Sequence, residues 1–384
     1  MSPVMAVAVG MLGLAAAMGI GRFAFTPLMP LMQAHSDLSL AQGGWLAAAN
    51  YAGYLAGALL CVSANPNPSA AGRVGLAVVA LSTLAMGFTG EFKWWLIWRF
   101  VAGVASALAL VGISAWALPL LARGKRAHWA GWVFSGVGAG ILAAGIVSLV
   151  IAVRGIAPST GWLLLGAAAT LILALTWRGL SASQATPTTN ATTRTERFTA
   201  DAWLLIGCYG IFGFGYIIPA TYLPSLARHL LADPAVFGWT WPVFGVAAAA
   251  STAIASLILR RAAPRRVWAI VQVVMAAGVV APAIAANAAM LVFAAIAIGG
   301  TFMVLTMAGL QEARRVAGDA APRLIAAMTA AFAIGQLLGP VAVSLTSSSE
   351  RALYGPSIAA ASLLIASAII LTASCRPNGA LSNI

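Results

Sequence analysis

Residues 4–33 read VMAVAVGMLGLAAAMGIGRFAFTPLMPLMQ, a long apolar stretch whose only charge is Arg22. A helix needs roughly 20 apolar residues to cross the hydrocarbon core of a bilayer, so this segment is long enough to span one. The ten residues that open the chain contain no Lys or Arg, and the apolar run is longer than that of a signal peptide. We therefore expect a first membrane helix that is retained.

Eleven further stretches of the same kind fill the rest of the chain, separated by charge clusters and by Pro, Gly and Asn turns. Hydrophobic residues make up 61% of the 384 residues and charged residues 8%, whereas soluble domains are about 45–50% apolar and about 25% charged. The sequence therefore predicts an all-α polytopic membrane protein with twelve transmembrane helices. Helices are expected at 4–33, 41–62, 73–90, 94–121, 129–152, 161–177, 201–225, 238–259, 267–286, 289–310, 323–346 and 355–373.

Basic residues fall mainly on one side of the predicted membrane. Fifteen of the 21 Lys and Arg residues lie in segments on the side of the N-terminus, and four lie in the loops on the other side. Cytoplasmic segments carry the excess of Lys and Arg, so both termini are expected in the cytoplasm, at a bacterial inner membrane. The net charge of +13 is then a signal of topology, and we expect no nucleic-acid partner.

A polar segment, residues 178–199, divides the chain and is rich in Ser, Thr and Pro, which is typical of a flexible linker. We expect it to join an N-terminal six-helix bundle, residues 1–177, to a C-terminal one, residues 200–384. Glycine motifs recur in the same order in the two halves, which is typical of transporters that bind substrate between repeats. The matched motifs are Gly19-x-Gly21 with Gly213-x-Gly215, Gly44-Trp45 with Gly238-Trp239, and Gly136 to Gly140 with Gly335 to Gly339.

Three motifs stand out in the first, second and tenth predicted helices: Gly19-Ile-Gly21-Arg22-Phe-Ala-Phe-Thr26-Pro27, Gly44-Trp45-Leu-Ala-Ala-Ala-Asn50-Tyr51-Ala-Gly53-Tyr54 and Gly299-Gly300-Thr301-Phe302. Together they resemble the bacterial YbfB/YjiJ-type subgroup of the major facilitator superfamily. Arg99-Phe-Val-Ala-Gly103 resembles the Arg-x-x-x-Gly motif of that superfamily. The resemblance covers the whole chain and implies the major facilitator fold, two pseudo-symmetric six-helix bundles with a substrate cavity between them.

Arg22 and Arg99 are the two charged residues deep inside the predicted spans, and no carboxylate accompanies them. A buried arginine is costly unless it faces a polar cavity or finds hydrogen-bond acceptors. At 100° per residue, Gly19, Arg22 and Thr26 lie on one helix face. Two interpretations stay open for Arg22. It binds an anionic group of a substrate, or it satisfies carbonyl groups freed by the neighbouring glycines and Pro27.

Arg99 also has two interpretations. The resemblance implies that Arg99, with Gly103 in the same motif, orders the contact between the first and fourth helices and acts in conformational change; direct contact with substrate is the alternative. Glu312 or Asp319, close after the predicted tenth helix, is a candidate for a charge latch at the cytoplasmic end. The loop between the second and third helices, where the superfamily usually has an acidic gating motif, contains no Asp.

Polar and aromatic side chains that share one face of a helix, here called stripes, complete the predicted substrate site. The resemblance implies that helices one, two, four, five, seven, eight, ten and eleven line the cavity. Any single aromatic on these stripes also fits packing between helices or anchoring at the membrane interface. The predicted substrate-binding residues are Arg22, Thr26, Asn50, Tyr54, Trp132, Tyr209, Tyr216, Thr301, Thr329 and Gln336.

These features predict a secondary active transporter that moves a small organic anion or amphipathic metabolite across the inner membrane by alternating access. Efflux of an apolar or drug-like compound is the first alternative, and a non-transporting membrane sensor or scaffold is the second. The sequence contains no metal-ligand cluster, nucleophile motif or phosphate loop, so we expect no enzymatic activity and no cofactor. We expect a monomer in the lipid bilayer, with a small-molecule substrate as its partner.

Overall fold

The computed structural model describes residues 2–36, 38–64, 66–181, 198–231, 233–346 and 353–374. Within these ranges twelve helices are long and apolar enough to cross a membrane, as predicted. Most of the predicted linker lies outside the described residues, so the domain boundaries stay a prediction. The helices are α1 Pro3–His35, α2 Leu40–Ala64, α3 Pro68–Phe88, α4 Phe92–Arg123, α5 Ala130–Arg154, α6 Pro158–Leu180, α7 Ala200–Leu230, α8 Pro234–Ile258, α9 Pro264–Ile284, α10 Ala288–Ala317, α11 Ala321–Ser344 and α12 Tyr354–Ala373.

Four helices begin three or more residues earlier than predicted, each at a proline: α6 at Pro158, α9 at Pro264 and, with a side-chain cap, α3 and α8. α3 starts at Pro68 rather than at residue 73, and α8 starts at Pro234 rather than at residue 238. The side chain before each of these two prolines, Asn67 or Asp233, accepts an amide hydrogen bond from the first turn. Proline suits the first helical position because it has no N–H group to leave unpaired there. The turn residues that marked the loops in the sequence are therefore the caps of the helices.

α1 is interrupted at its centre, where the sequence predicted one unbroken helix. An α-helix over Pro3–Leu14 continues as a π-helix over Ala15–Ile20, and a second α-helix starts at Phe25. The amide of Gly21 donates to the carbonyl five residues back, at 2.9 Å. Single π-turns of this kind occur frequently at functional sites. The interruption places Arg22 at a break in the middle of the span.

Glycines let α1 and α5 touch backbone to backbone around this break. A Cβ atom on Gly19 would lie 2.4 Å from the Cα of Gly140. A Cβ on Gly136 would lie 2.0 Å from the carbonyl oxygen of Met11, and a Cβ on Gly140 would lie 2.2 Å from that of Ala15. Small residues permit such close helix packing in lipid. Because the neighbouring atoms belong to the backbone, no larger residue fits at these positions without moving a helix.

The second half makes the corresponding contact between α7 and α11. A Cβ on Gly213 would lie 2.3 Å from the carbonyl oxygen of Phe332, and a Cβ on Gly335 would lie 2.3 Å from that of Gly210. Matched glycine motifs in the sequence therefore make matched helix contacts in the two halves. One difference remains: α7 is a continuous α-helix over Ala200–Leu230, whereas α1 is broken.

The two halves meet at the end of the bundle away from the N-terminus, which we call the distal end. The Thr26 hydroxyl donates to the Ala220 carbonyl at 3.0 Å, and the Ser225 hydroxyl donates to Oε1 of Gln33 at 3.2 Å. α2 and α11 also lie close together there, because a Cβ on Gly44 would be 2.3 Å from a side-chain oxygen of α11. These contacts close the distal end.

A seam between α5 and α8 runs along most of the length of both helices. Near its middle, a Cβ on Gly138 would lie 2.3 Å from the amide nitrogen of Ala249. Towards the distal end, a Cβ on Gly145 would lie 2.7 Å from the nitrogen of Pro242. The seam therefore holds the two halves together at the level of the backbone.

A cavity of about 460 Å³ lies at the opposite end, where α1 begins, which we call the terminal end. Both halves line it: Lys125 and His128 lie between α4 and α5, Arg260 follows α8, and Gln311 is on α10. No carboxylate is among its described lining residues. The conformation is thus closed at the distal end and has a basic cavity between the halves at the terminal end.

Gly140→Ala should destabilise the protein, because the added Cβ would overlap the backbone of α1. Overpacking of this kind costs about 1–3 kcal/mol, and we expect a lower midpoint of thermal unfolding in detergent. Gly207→Ala is the matched control, since nothing lies within 4 Å of a Cβ at that helical position. It should be neutral or slightly stabilising because alanine has the higher helix propensity. Equal effects of the two substitutions would contradict the packing described for Gly140.

Candidate functional site

Arg99 on α4 lies against the break in α1. Its Nη1 donates to the carbonyl oxygen of Gly21 at 3.4 Å, and its Nη2 donates to that of Arg22 at 3.2 Å. The guanidinium carbon also lies 4.7 Å from the ring centre of Phe25. Unpaired backbone groups in a membrane-spanning helix must be satisfied from within the protein. One interpretation of the sequence had Arg22 satisfying carbonyl groups near this break. In the structure, Arg99 donates to carbonyl groups there instead.

Arg22 points the other way, into the boundary between the two halves. Its Nη2 donates to Oε1 of Gln336 on α11, and Nε2 of Gln336 donates to the hydroxyl of Tyr216 on α7. All three side chains are at most 2% exposed. Three of the predicted substrate-binding residues thus form one chain of hydrogen bonds that joins the halves. We call these three residues, together with the aromatic rings around the Arg22 guanidinium, the Arg22 cluster.

Three rings surround the Arg22 guanidinium. Its carbon lies 4.1 Å from the ring centre of Tyr54, 5.1 Å from that of Tyr51 and 5.6 Å from that of Phe23. A desolvated cation–π contact contributes about 2 kcal/mol, so the rings partly compensate for the loss of water. In the part of the chain that the structure describes, Arg22 forms no ion pair with a carboxylate, and its buried Nε has no hydrogen-bond acceptor.

Two further charged side chains, Glu312 and Arg265, are buried, and both lie near a helix end rather than deep in a span. Glu312 is fully buried and accepts hydrogen bonds from Nε of Arg265 at 2.8 Å and from Nε of Arg315 at 2.9 Å. Arg265 is 3% exposed. Glu312 therefore pairs inside the C-terminal half, and it makes no latch to the described residues of the N-terminal half. The sequence placed Glu312 near a helix end, where burial depends on neighbouring helices.

Asn50 and Gly103 join α2 to α4. The Nδ2 atom of Asn50 donates to the carbonyl of Arg99 at 2.9 Å. A Cβ on Gly103 would lie 2.0 Å from the carbonyl oxygen of Asn50. The motif from Arg99 to Gly103 therefore contacts α1 through its arginine and α2 through its glycine. Asn50 uses its amide in this packing, and its position as a substrate ligand stays a prediction.

Four other predicted site residues make their contacts away from the guanidinium of Arg22. Thr301 and Thr329 each donate to a carbonyl four residues back in their own helix, at 2.6 and 2.8 Å. Tyr209 packs on Phe332 with 5.3 Å between ring centres. Trp132 is 53% exposed. These contacts neither support nor test the role in substrate binding, which stays a prediction for these four residues.

The sequence prediction left out Tyr51 and Phe23, two rings of the Arg22 cluster, and Thr221, which contacts Tyr51. The hydroxyl of Tyr51 lies 3.0 Å from that of Thr221 across the boundary between the halves. The Phe23 ring packs edge-on against Phe302, with 5.9 Å between the ring centres. Tyr51 stands beside Asn50 in the motif of the second helix, and that signal could have found it. Thr221 could not have been found from helix periodicity alone.

Residues 14–372 match the family described as "Uncharacterised MFS-type transporter YbfB". A search of curated proteins gave no match. Among solved structures, the fold resembles that of a mutant of the nucleoside transporter NupG, with a TM-score of 0.74 and 13% identity over 97% of this chain and 100% of that one. It also resembles a D-xylose-proton symporter, with a TM-score of 0.75 and 14% identity over 96% of this chain and 97% of that one. The fold is the predicted one, twelve helices in two pseudo-symmetric six-helix bundles.

Arg99→Met should destabilise the protein, because it removes both hydrogen bonds to the carbonyl groups of α1. A hydrogen bond from a charged group contributes about 1.5–3 kcal/mol, so we expect a clear loss in thermal or denaturant unfolding. Arg123→Gln is the control on the same helix, at an exposed position, and should change stability by less than about 0.5 kcal/mol. An Arg99→Met variant as stable as the control would contradict the contact.

Proposed function

We propose that this chain, which belongs to the YbfB-type family of major facilitator transporters, carries a small organic anion or amphipathic metabolite by alternating access. Family membership makes it a multi-pass membrane transporter rather than an enzyme. We further propose that it works as a monomer, since the candidate site lies between two halves of one chain. The moving units would be the bundles at residues 1–177 and 200–384.

Arg22 carries the proposal. It is a buried cation at the boundary between the halves, and no carboxylate pairs with it among the described residues. A charge in the membrane is costly without compensation, and an anionic ligand would supply the missing counter-charge. The planar guanidinium suits carboxylate and similar oxyanions because it can donate two parallel hydrogen bonds.

An apolar part of the substrate would have aromatic surface to contact on the other side of the boundary. The ring of Tyr216 stacks between those of Phe302 and Phe332, with ring centres 5.8 and 5.7 Å apart. This layer is also the observation that favours the competing proposal, transport of an apolar or drug-like compound. The two proposals differ in whether binding requires the charge of Arg22.

The basic cavity at the terminal end supports entry of an anion from that side. Lys125, His128 and Arg260 line it from both halves. A cleft lined by one sign of charge raises the local concentration of oppositely charged ligands. The positive-inside rule favours a cytoplasmic location for this end and an inner-membrane location for the protein. On this proposal, the anion reaches Arg22 from the cytoplasmic cavity before the distal end opens.

Thermal stabilisation of the purified protein by matched ligands tests the proposal. Organic carboxylates should stabilise it, whereas the neutral amides and cationic amines of the same carbon skeletons should not. A ligand at 100 times its Kd adds about 2.7 kcal/mol. Arg22→Gln should abolish this stabilisation, and Arg22→Lys should weaken it because the ammonium lacks the planar donor pair.

Stabilisation only by neutral or cationic compounds would overturn the anion proposal. Unchanged anion binding in Arg22→Gln would do the same, and stabilisation by apolar compounds in that variant would favour the drug-like alternative. The unfolding midpoint of each variant without ligand separates a loss of binding from a loss of folding.

The double substitution Lys125→Gln and Arg260→Gln should slow anion entry from the terminal end and raise the apparent KM, because it removes attraction at the cavity. The effect should be large at 0.01 M salt, where the Debye length is about 30 Å, and nearly absent at 1 M, where it is about 3 Å. Initial transport rates in proteoliposomes measure it. Arg314→Gln, exposed on α10 but outside the cavity lining, is the control. A defect that persists at 1 M salt would contradict electrostatic attraction.

A further inference from the structure

Gln336 occupies the position at which an anionic ligand of Arg22 would bind. It is fully buried, its Oε1 accepts from Nη2 of Arg22, and its Nε2 is fixed by donation to Tyr216. Arg22 belongs to α1 and Gln336 to α11, so the hydrogen bond crosses the boundary between the halves. A neutral amide oxygen therefore accepts the hydrogen bond at a position where a guanidinium often binds a carboxylate or phosphate oxygen.

The guanidinium keeps unused capacity in this arrangement. It has five N–H donors. Among the described side chains, Gln336 and the hydroxyl of Tyr54 accept hydrogen bonds from it, and its buried Nε has no partner. Tyr54 and Tyr51 lie against the guanidinium at 4.1 and 5.1 Å and would hold it in place if the amide left. A carboxylate arriving here could bind through two parallel hydrogen bonds with full charge assistance.

We infer that Gln336 is a resident ligand of Arg22, which ties the halves together in the empty transporter and is displaced by the anionic group of the substrate. The inference rests on the proposed function, because it takes Arg22 as the anion site. Gln336 is then a specificity-determining residue whose competition the substrate must overcome. It is not a residue that holds the substrate.

Competition by an amide gives the site a preference for anions. The amide of Gln336 is attached to the protein, so it competes at a high effective concentration. An amide or alcohol on a neutral molecule offers Arg22 nothing that Gln336 does not already offer. A carboxylate differs because its hydrogen bonds to the guanidinium are charge-assisted and shorter. The hydrogen bond between Arg22 and Gln336, which we call the tether, would therefore exclude uncharged isosteres of the substrate.

Displacement would also loosen the closed distal end. The bond between Arg22 and Gln336 lies next to the cross-boundary contacts of Thr26 with Ala220 and of Tyr51 with Thr221. A ligand shifts a conformational equilibrium only by binding one state better than the other. On this inference the Arg22–Gln336 bond stabilises the distally closed state, so an anion that replaces it satisfies that condition and links binding to opening without a titrating carboxylate.

Two substitutions at Gln336 separate a competitor from an ordinary substrate contact. Gln336→Met leaves Arg22 without the competing amide, so the Kd of the stabilising carboxylate should fall by about tenfold, the change that 1.4 kcal/mol produces. Gln336→Glu supplies an internal carboxylate, so the Kd should rise by at least about tenfold. Gln42→Glu, at the start of α2 away from the site, controls for adding a carboxylate to the protein.

Opposite changes in Kd for Gln336→Met and Gln336→Glu support the inference. If both substitutions weaken binding while Arg22→Gln abolishes it, Gln336 contacts the substrate directly and the inference fails, although the proposed function stands. If no carboxylate stabilises the wild-type protein or Gln336→Met, the proposed function fails and this inference fails with it.

The tether itself can be measured without ligand. Ser225→Cys, in a protein whose Cys61, Cys208 and Cys375 are replaced by alanine, reports opening of the distal end, because residue 225 is 1% exposed in the closed state. A membrane-impermeant maleimide should label it severalfold faster after Gln336→Met than with Gln336 present. Equal labelling rates with and without Gln336 would overturn the tether.

Discussion

The two hydrogen bonds from Arg99 to the carbonyl groups of Gly21 and Arg22 make the rest of the site possible. A break in a transmembrane helix exposes backbone groups that lipid cannot satisfy. α4 supplies the missing donors, so α1 can be interrupted at mid-membrane while staying buried. At this interruption the side chain of Arg22 crosses the boundary towards α11. A structural arginine thus permits a second, chemically available arginine one helix away.

Glycine performs the complementary task of bringing helices together. The contacts of Gly19 and Gly140 between α1 and α5, and of Gly213 and Gly335 between α7 and α11, fix two helix pairs at backbone distance. Each pair belongs to one half, so these contacts hold helices together within each half. Across the boundary, the seam between α5 and α8 is also a close backbone contact. The contacts around Arg22 and at the distal end of α1 and α7 are instead single hydrogen bonds from hydroxyl and guanidinium groups. Such bonds can be exchanged for bonds to water or ligand at modest net cost.

Much of the fold could be predicted because the bilayer imposes it: twelve apolar segments and the glycine pairs are visible in composition and spacing. Arg22 and Arg99 were equally visible as charges among apolar residues. The resemblance assigned Arg99 to the contact between the first and fourth helices. The residue pattern alone left the roles of both arginines open, because a helical wheel assumes an unbroken helix, whereas α1 contains a π-turn. Gln336 is 314 residues from Arg22, and periodicity gives the face of a helix but not its register against a distant one. Burial of Glu312 depends on neighbours in the same way.

The two halves are related by sequence but differ in the one position that matters most. Arg22 directly follows Gly19-x-Gly21, and Tyr216 directly follows the matching Gly213-x-Gly215. These equivalent positions meet at the same glutamine, one as a cation and the other as a phenol. The pseudo-twofold relation between the halves is therefore broken at the centre of the molecule, where the equivalent positions hold different side chains. A molecule held there would meet a cation on one wall and a phenol on the other, so its two ends would be distinguished and one orientation would be favoured.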